Sequence, residues 1–493
     1  MRVLRPILRR LLLHPNRVVI TDDQRCWKGF HLYIGALHLA AAIEKASDRD
    51  KVGIILPTSG LFPMAMIASW MLGRTIVPIN YLLKHDDLAY VVDDAELDLV
   101  VTVTPMLDIV EGLPEHLTLL KLDELKSQFK GLPKLRKSKR RPDDALAALL
   151  YTSGTSGRPK GVMLSSGNLA ENVQQVQEFI HFTPAHRFLG VLPQFHSFGL
   201  TALTLIPLSV GSPIIYTARF MPKRILKLLS THRPNVLIAI PSMFNALLHA
   251  KSATSEHFES LEFVVSGGEP LPEAVFTGYR DTFKVIINEG YGLTETSPVS
   301  HWCRPQDHRH GSVGRPIPKL EHRIIDVETG SVLGPGQDGE IIMRGPNIMQ
   351  GYYKLPEDTA KVIDDDGFFH TGDMGRIDED DFLYITGRIK EMLIIGGENV
   401  FPREIEEVLN DHPSVKDSAV IGIQDDSRGE VALAFIELAE DCEFDETGIR
   451  SHCREQLAQY KVPRDVRVVE ALPRNPTGKI LRRELSAETP SMV

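Results

Sequence analysis

Short apolar runs recur along the first half of the chain, separated by longer stretches of mixed polarity. The runs "KVGIILP" (51–57), "LDLVVTV" (97–103), "ALAALLY" (145–151), "FLGVLP" (188–193), "SPIIYT" (212–217), "NVLIAIP" (235–241) and "LEFVVSGG" (261–268) are rich in Val, Ile and Leu and are bounded by Gly, Pro or Ser. Continuous apolar strands alternating with helix-length segments predict parallel sheets covered on both faces. From about 311 to 381 the texture changes, and "ETGSVLGPGQDGEIIMRG", "DDDGFFHTGD" and "DEDDFLYITG" predict short strands joined by turns. Beyond residue 390 a helix is expected at "PREIEEVLNDH", with strands at "VKDSAVIGI" and "EVALAFIEL". No internal repeat of solenoid period interrupts this order. The expected class is α/β: a large body of mixed and parallel sheets flanked by helices, a β-rich portion, and a small α+β tail.

Composition narrows the function classes. The chain has 493 residues, 43% hydrophobic and 24% charged, enough for a large core and ordinary for a soluble protein. Its net charge of −10 repels polyphosphate chains, so no nucleic-acid partner is expected. Cys26, Cys303, Cys442 and Cys453 are scattered and form no CxxC, a reduced, cytoplasmic pattern without zinc or a disulfide framework. The opening segment "MRVLRPILRRLLLHP" breaks its leucines with Arg5, Arg9 and Arg10, so neither a signal peptide nor a membrane span fits. Two readings of it stand: an amphipathic segment at a membrane surface, and a helix packed on the body with its arginines in water. The second is the stronger expectation. The basic run "KLRKSKRRPDD" (134–144) reads as a solvated linker.

Chemistry enters at "YTSGTSGRPKG" (151–161), which packs glycines, hydroxyls and Lys160 directly behind an apolar strand. Such a loop, followed by a helix starting near Ser165, offers backbone N–H groups and hydroxyls to a phosphate. It is not a Walker A loop, because Lys160 follows Pro159 and precedes Gly161. Further along, "YGLTETSP" (291–298) carries one carboxylate, Glu295, among hydroxyls, a composition that suits Mg²⁺ with its retained waters. "HTGD" (370–373) and "GRIKE" (387–391) supply Asp373, able to accept from two ribose hydroxyls, and Arg388. "PRNPTGKI" (473–480) presents Lys479 on a glycine-containing turn. Singly, each reads equally well as a solvated turn, a capped helix end or a surface ion pair.

Together, in this order, they resemble the adenylate-forming superfamily of acyl-CoA synthetases, peptide-synthetase adenylation domains and beetle luciferases, over about residues 17–485. The resemblance implies that Thr152, Ser153, Gly154, Thr155, Ser156 and Lys160 hold the β- and γ-phosphates of ATP. It also implies that Gly268 and Glu269 of "SGGEP" lie along adenine, Tyr291 stacks on it, and Thr294 approaches the α-phosphate. Glu295 then binds Mg²⁺, Asp373 and Arg388 bind the ribose, and Lys479 is catalytic. A body of residues 1–389 and a mobile tail of 390–493 are implied, with the hinge at Lys390. Gly396 and Gly397 of "IIGGEN" would let the pantetheine of CoA pass. The implied reaction activates a carboxylic acid as acyl-AMP, releasing pyrophosphate, and then transfers the acyl group to the thiol of CoA.

The acid is less legible. "PQFHSFGLT" (193–201) resembles the family segment in which a histidine, here His196, borders the acyl pocket. Phe195, Phe198 and Leu200 around it, and the small Gly290 before Tyr291, favour a medium- or long-chain fatty acid, since each buried methylene contributes about 0.8 kcal/mol. The wording is most similar to long-chain acyl-CoA and acyl-carrier-protein synthetases, including the ligase portion of acylglycerophosphoethanolamine recycling enzymes. An acyl-carrier-protein or fatty acyl-AMP ligase, an aryl acid–CoA ligase, and a non-catalytic nucleotide-binding protein are the alternatives. The intact charged set Lys160, Glu295, Asp373, Arg388 and Lys479 speaks against the last. Oligomeric state is not written in the sequence.

Overall fold

The computed structural model describes residues 1–110, 112–125, 129, 131–152, 158–396, 398–425, 429–439, 442–474 and 480–491. The expected apolar runs all form strands, and they build two sheets. One has nine strands: Val18–Thr21, Ile214–Tyr216, Phe188–Gly190, Val236–Ala239, Phe263–Gly267 and Asn288–Gly292 are parallel neighbours, with Cys26–Lys28, Val299–Trp302 and Arg315–Pro316 added antiparallel at the edges. The other has six strands, parallel from Thr118–Lys121 through Leu99–Thr102, Lys51–Ile54 and Thr75–Pro78 to Leu146–Thr152, and closed by antiparallel Lys160–Ser165. Strands such as Leu99–Thr102 and Val236–Ala239 are buried along their whole length, as parallel strands covered on both faces must be.

The glycine- and hydroxyl-rich segment departs from expectation in one respect. The strands on either side of it, Leu146–Thr152 and Lys160–Ser165, run antiparallel with Thr152 paired to Lys160, and only then does helix Ser166–Ile180 begin. The apolar pattern of "KGVMLS" continues the ladder before the helix signal takes over, so the helix N-terminus is a full strand away from the loop. That N-terminus is closed by a capping box: Ser165 Oγ accepts from Asn168 N at 3.0 Å and Asn168 Oδ1 accepts from Ser165 N at 2.9 Å. Asn168 Nδ2 also donates to the carbonyls of Pro346 and Ile348, anchoring the segment that leads to Tyr352.

The β-rich portion is a four-stranded antiparallel sheet, Glu321–Ile325, Gly339–Arg344, Phe369–Ile377 and Leu383–Arg388. The last sheet holds Glu398–Val400, Leu393–Ile395, Gly429–Leu438 and Val415–Asp425, with Asp465–Val468 parallel to Gly429–Leu438 and helix Pro402–Asn410 packed on it. Its apolar side chains, among them Leu393, Ile405, Val420 and Ile436, form a core separate from that of residues 1–383.

Helix Leu4–Leu13 buries Leu4, Ile7 and Leu11 and packs against helices Gly29–Ala46 and Ile206–Val210, as the second N-terminal reading expects. Among the described residues no helix is long and apolar enough to cross a membrane. The linker around residues 131–141 has no regular structure, and Arg136 within it pairs with Glu44 at 2.7 Å.

Candidate active site

Four elements from three sheets converge on one cluster. Asp373 and Arg388 are cross-strand partners, and Arg388 Nε lies 2.9 Å from Asp373 Oδ1. Asp373 is buried, and its other oxygen accepts from the Tyr291 hydroxyl at 2.5 Å. Tyr291 comes from strand Asn288–Gly292, immediately before the short helix Thr294–Thr296 that carries Thr294 and Glu295. The fields agree with the geometry. Burial, reinforced by Asp373, pushes the Tyr291 phenol well up. Asp373 is also the main reason the Arg388 guanidinium holds its proton more tightly, with Glu391, Tyr291 and Glu295 adding to it.

Glu295 is half-buried, and burial pushes its carboxyl above the ordinary range. Its Oε1 accepts from the hydroxyl of Tyr352 at 2.9 Å. Lys160, the first residue of its strand, forms an ion pair with Asp358 at 2.6 Å and stands 5.1 Å from the centre of the Tyr352 ring. Tyr352 and Asp358 thus connect the two charged residues expected to flank the phosphates. Neither was singled out in the sequence, although "GYYKLPEDT" carries an aromatic pair and three charges in nine positions.

Behind Tyr291 lies a second set that sequence reasoning missed. Ser300 Oγ donates to the Tyr291 carbonyl at 2.9 Å, which leaves it able only to accept from His301 Nδ1 at 3.1 Å. Burial keeps His301 neutral, so its Nε2 must accept from His322 Nδ1 at 2.9 Å. His322 in turn meets Asp381 at 2.8 Å. This chain fixes the strand from which Tyr291 projects.

The remaining expectations distribute as follows. Gly268 adopts φ +89°, a backbone state that favours glycine, beside Glu269, whose charge faces Arg474 in the tail. Thr294 is buried and its Oγ1 lies 3.0 Å from Ser197 Oγ, joining "PQFHSFGLT" to the cluster. His196 itself is exposed and caps the helix Ser197–Leu200, its Nδ1 accepting from Phe198 N at 3.2 Å. Gly199 has no freedom, since a Cβ there would sit 2.0 Å from the Pro193 carbonyl oxygen. Gly396 turns at φ +63°, and Lys390 lies exposed in the short helix Ile389–Glu391. Ser153, Gly154, Thr155, Ser156, Gly397 and Lys479 lie outside the described residues. The segment holding Lys479 is flanked by an antiparallel bridge between Arg474 and Ile480. Arg474 pairs with Asp417, and Arg482 reaches Glu406 at 2.6 Å and Glu391 at 3.1 Å.

Glu289, two residues before Tyr291, sits where the tail helix Pro402–Asn410 meets the body. Burial pushes its carboxyl up to about 7, against the pull of Arg403. The folded chain therefore binds this proton more tightly than the unfolded chain, and the stability it contributes is lost as pH rises from about 4.5 to about 7. Denaturation of Glu289→Gln across that window is expected to show a shallower fall than wild type, by about 3 kcal/mol at most. Parallel curves would remove Glu289 from the balance.

A family model described as AMP-binding enzyme matches residues 9–353, and one described as AMP-binding enzyme C-terminal domain matches residues 404–479. A long-chain-fatty-acid–CoA ligase from Bacillus subtilis is 31% identical over 93% of this chain and 90% of its own. A 4-coumarate–CoA ligase from Narcissus pseudonarcissus is 33% identical over 88% of this chain and 83% of its own. Among solved structures, the O-succinylbenzoate coenzyme A synthetase of Bacillus subtilis, in complex with ATP and magnesium ion, superposes with a TM-score of 0.86 at 28% identity, over 97% of this chain and 98% of its own.

Proposed function

The chain belongs to the AMP-binding, adenylate-forming superfamily and is an AMP-forming acid–CoA ligase using ATP, Mg²⁺ and CoA, and from that premise we propose that its acid is a medium- or long-chain fatty acid. The observation that carries this reading is the junction of Ser197 with Thr294 at 3.0 Å. It brings the apolar segment of Phe195, Phe198 and Leu200 against the end of the cluster where the α-phosphate is expected. Gly290 beside it would accept a Cβ at ordinary contact distance, 3.4 Å from His301 O, so the wall there is not closed by packing. The Bacillus subtilis relative named for long-chain fatty acids points the same way.

In this reading the chain's work is positioning and charge. A carboxylate oxygen of the acid attacks the α-phosphorus, the bond to the β-phosphate oxygen breaks, and pyrophosphate leaves. The CoA thiolate then attacks the acyl carbon, its proton passing to solvent, and AMP leaves. Asp373 accepts from the ribose hydroxyls while Arg388 and Tyr291 hold it in place. Tyr291 and the backbone at Gly268 and Glu269 receive adenine, Thr294 the α-phosphate, and Thr152 with the segment after it and Lys160 the outer phosphates. Glu295 fits a magnesium ion: one half-buried carboxylate, its charge unfavourable by burial, stands among the hydroxyls of Thr294 and Tyr352. Bound there, the metal supplies neutralisation of phosphate charge. Lys160 must leave Asp358 to reach a phosphate, so the pair is a resting partner for the lysine. Residues 390–493 act as the moving tail, hinged at Lys390, with Gly396 and Gly397 beside the thiol path. His196, itself exposed at the start of the buried turn Ser197–Leu200, borders the acid.

Pyrophosphate release with a panel of acids, with and without CoA, tests the reading. Fastest turnover with a saturated chain and thioester formation only with CoA are expected. Preference for a cinnamic-type acid would replace it with the aryl reading, to which the 4-coumarate relative and the edge-to-face pair of Tyr81 and Phe195 (4.9 Å) belong. Release without any thioester would point to the adenylate or carrier-protein reading.

A further inference from the structure

The catalytic reading leaves the arginines of the first helix without a task. One face of Leu4–Leu13 is spent on packing, and the opposite face carries Arg5 and Arg9, one turn apart and both exposed. Like charges at that spacing repel one another. Arg10 lies half-buried over Gly211, and Arg17 donates to the Pro184 carbonyl at 2.5 Å. Among the described residues none of these four has a carboxylate within ion-pair distance, although acidic residues outnumber basic ones in the chain, 65 to 55. Apolar side chains share the same end of the helix. Leu12 and Leu13 are 54% and 58% exposed, and Phe30, whose N–H bonds to the Pro15 carbonyl, is 39% exposed. Arg5, Arg9, Arg10, Leu13 and Ser209 line a groove of about 370 Å³ between this helix and Ile206–Val210.

Leucines and a phenylalanine beside unpaired arginines do not match a purely aqueous surface or a purely apolar partner. They match an interface in which fixed negative charge borders hydrocarbon. We propose that this face docks on the surface of a bilayer containing anionic phospholipid, the arginines meeting headgroup phosphates and Leu12, Leu13 and Phe30 entering the acyl boundary. Guanidinium groups suit phosphate because their donors are paired in a plane. The net negative charge of the rest of the chain gives the docking one orientation, basic face towards the lipid. The surface lies outside the nucleotide cluster, so the proposal stands whichever acid is activated.

Vesicle sedimentation of the full chain tests it. Wild type is expected to sediment with phosphatidylglycerol–phosphatidylcholine vesicles, to ignore phosphatidylcholine alone, and to be released by salt, which screens exposed charge. The combined variant Arg5→Gln, Arg9→Gln, Arg10→Gln is expected to partition roughly a hundredfold less, at about fivefold per arginine. Leu12→Ser with Leu13→Ser leaves the charges in place and is expected to weaken binding at every salt concentration. Both variants keep wild-type pyrophosphate release with a water-soluble acid. The proposal is overturned if wild type ignores the anionic vesicles, or if the arginine variant binds as wild type does, which would move the contact to the basic run 134–141. A dimer held through this face, seen in sedimentation velocity and lost in the arginine variant, overturns it as well.

Discussion

Lys479→Ala is expected to lower pyrophosphate release by about a thousandfold while leaving the affinity for ATP nearly unchanged. The reaction brings a carboxylate against a phosphate, two anions, and a positive group between them is worth most at the transition state, where charge builds on the α-phosphoryl oxygens. Removing one preorganised donor of this kind costs on the order of 10²–10³ in rate. Ground-state affinity should survive because the ribose and base contacts are proposed to reside in Asp373, Arg388 and Tyr291, all in the body. The flanks of the lysine segment are held independently of it, by Arg474 on Asp417 and by Arg482 on Glu406 and Glu391, so the substitution has no obvious route to unfolding the tail. Stopped-assay pyrophosphate exchange beside a nucleotide titration checks the split. Equal exchange in variant and wild type would remove the lysine from the chemistry.

Glu295→Gln is expected to move activity and stability in opposite directions. Adenylation falls by about a hundredfold, and the magnesium concentration needed for half-maximal rate rises, because the one carboxylate of the Thr294–Thr296 turn is gone. In the absence of nucleotide and metal, thermal unfolding above the ordinary carboxylate range shifts upward. Burial makes the ionised form of Glu295 unfavourable in the folded chain. Its raised folded pKa means that stability is lost as pH climbs past the unfolded value, and a neutral amide avoids that loss. The amide can still accept from the Tyr352 hydroxyl, so the comparison isolates charge. A variant that is both less active and less stable would mark Glu295 as a packing residue.

The parallel strands were legible because their burial on both faces leaves unbroken apolar runs. The start of helix Ser166–Ile180 was legible to within a residue, as a helix beginning near Ser165. The grouping around Asp373 was legible where its residues sit in short contiguous motifs, as Tyr291, Thr294 and Glu295 do. What escaped has a common physical cause. Tyr352 acts on Glu295 from 57 positions away, and His322 on His301 from 21, through sheet pairings that no local pattern encodes. The antiparallel pairing of Thr152 and Lys160 escaped for a different reason: glycine and proline announce a break in the chain without saying whether a strand or a helix follows it. For the acid, a run of side chains such as Phe195 to Leu200 gives polarity, and the length of a pocket depends on what packs across from it.

The tail and the body each keep their own apolar core, and among the described residues what crosses between them is mainly polar: Arg403 to the Ile385 carbonyl at 2.5 Å, Arg403 facing Glu289, and Arg474 facing Glu269, with the Phe401 ring over Gly387 as an aromatic contact beside them. A seam of that kind opens onto water with little penalty, because solvent replaces each lost partner as it goes. Greasy contact would have glued the two halves into a single rigid body. For the swing proposed for residues 390–493, from ATP to a thiol within each turnover, such a joint is one that lets go.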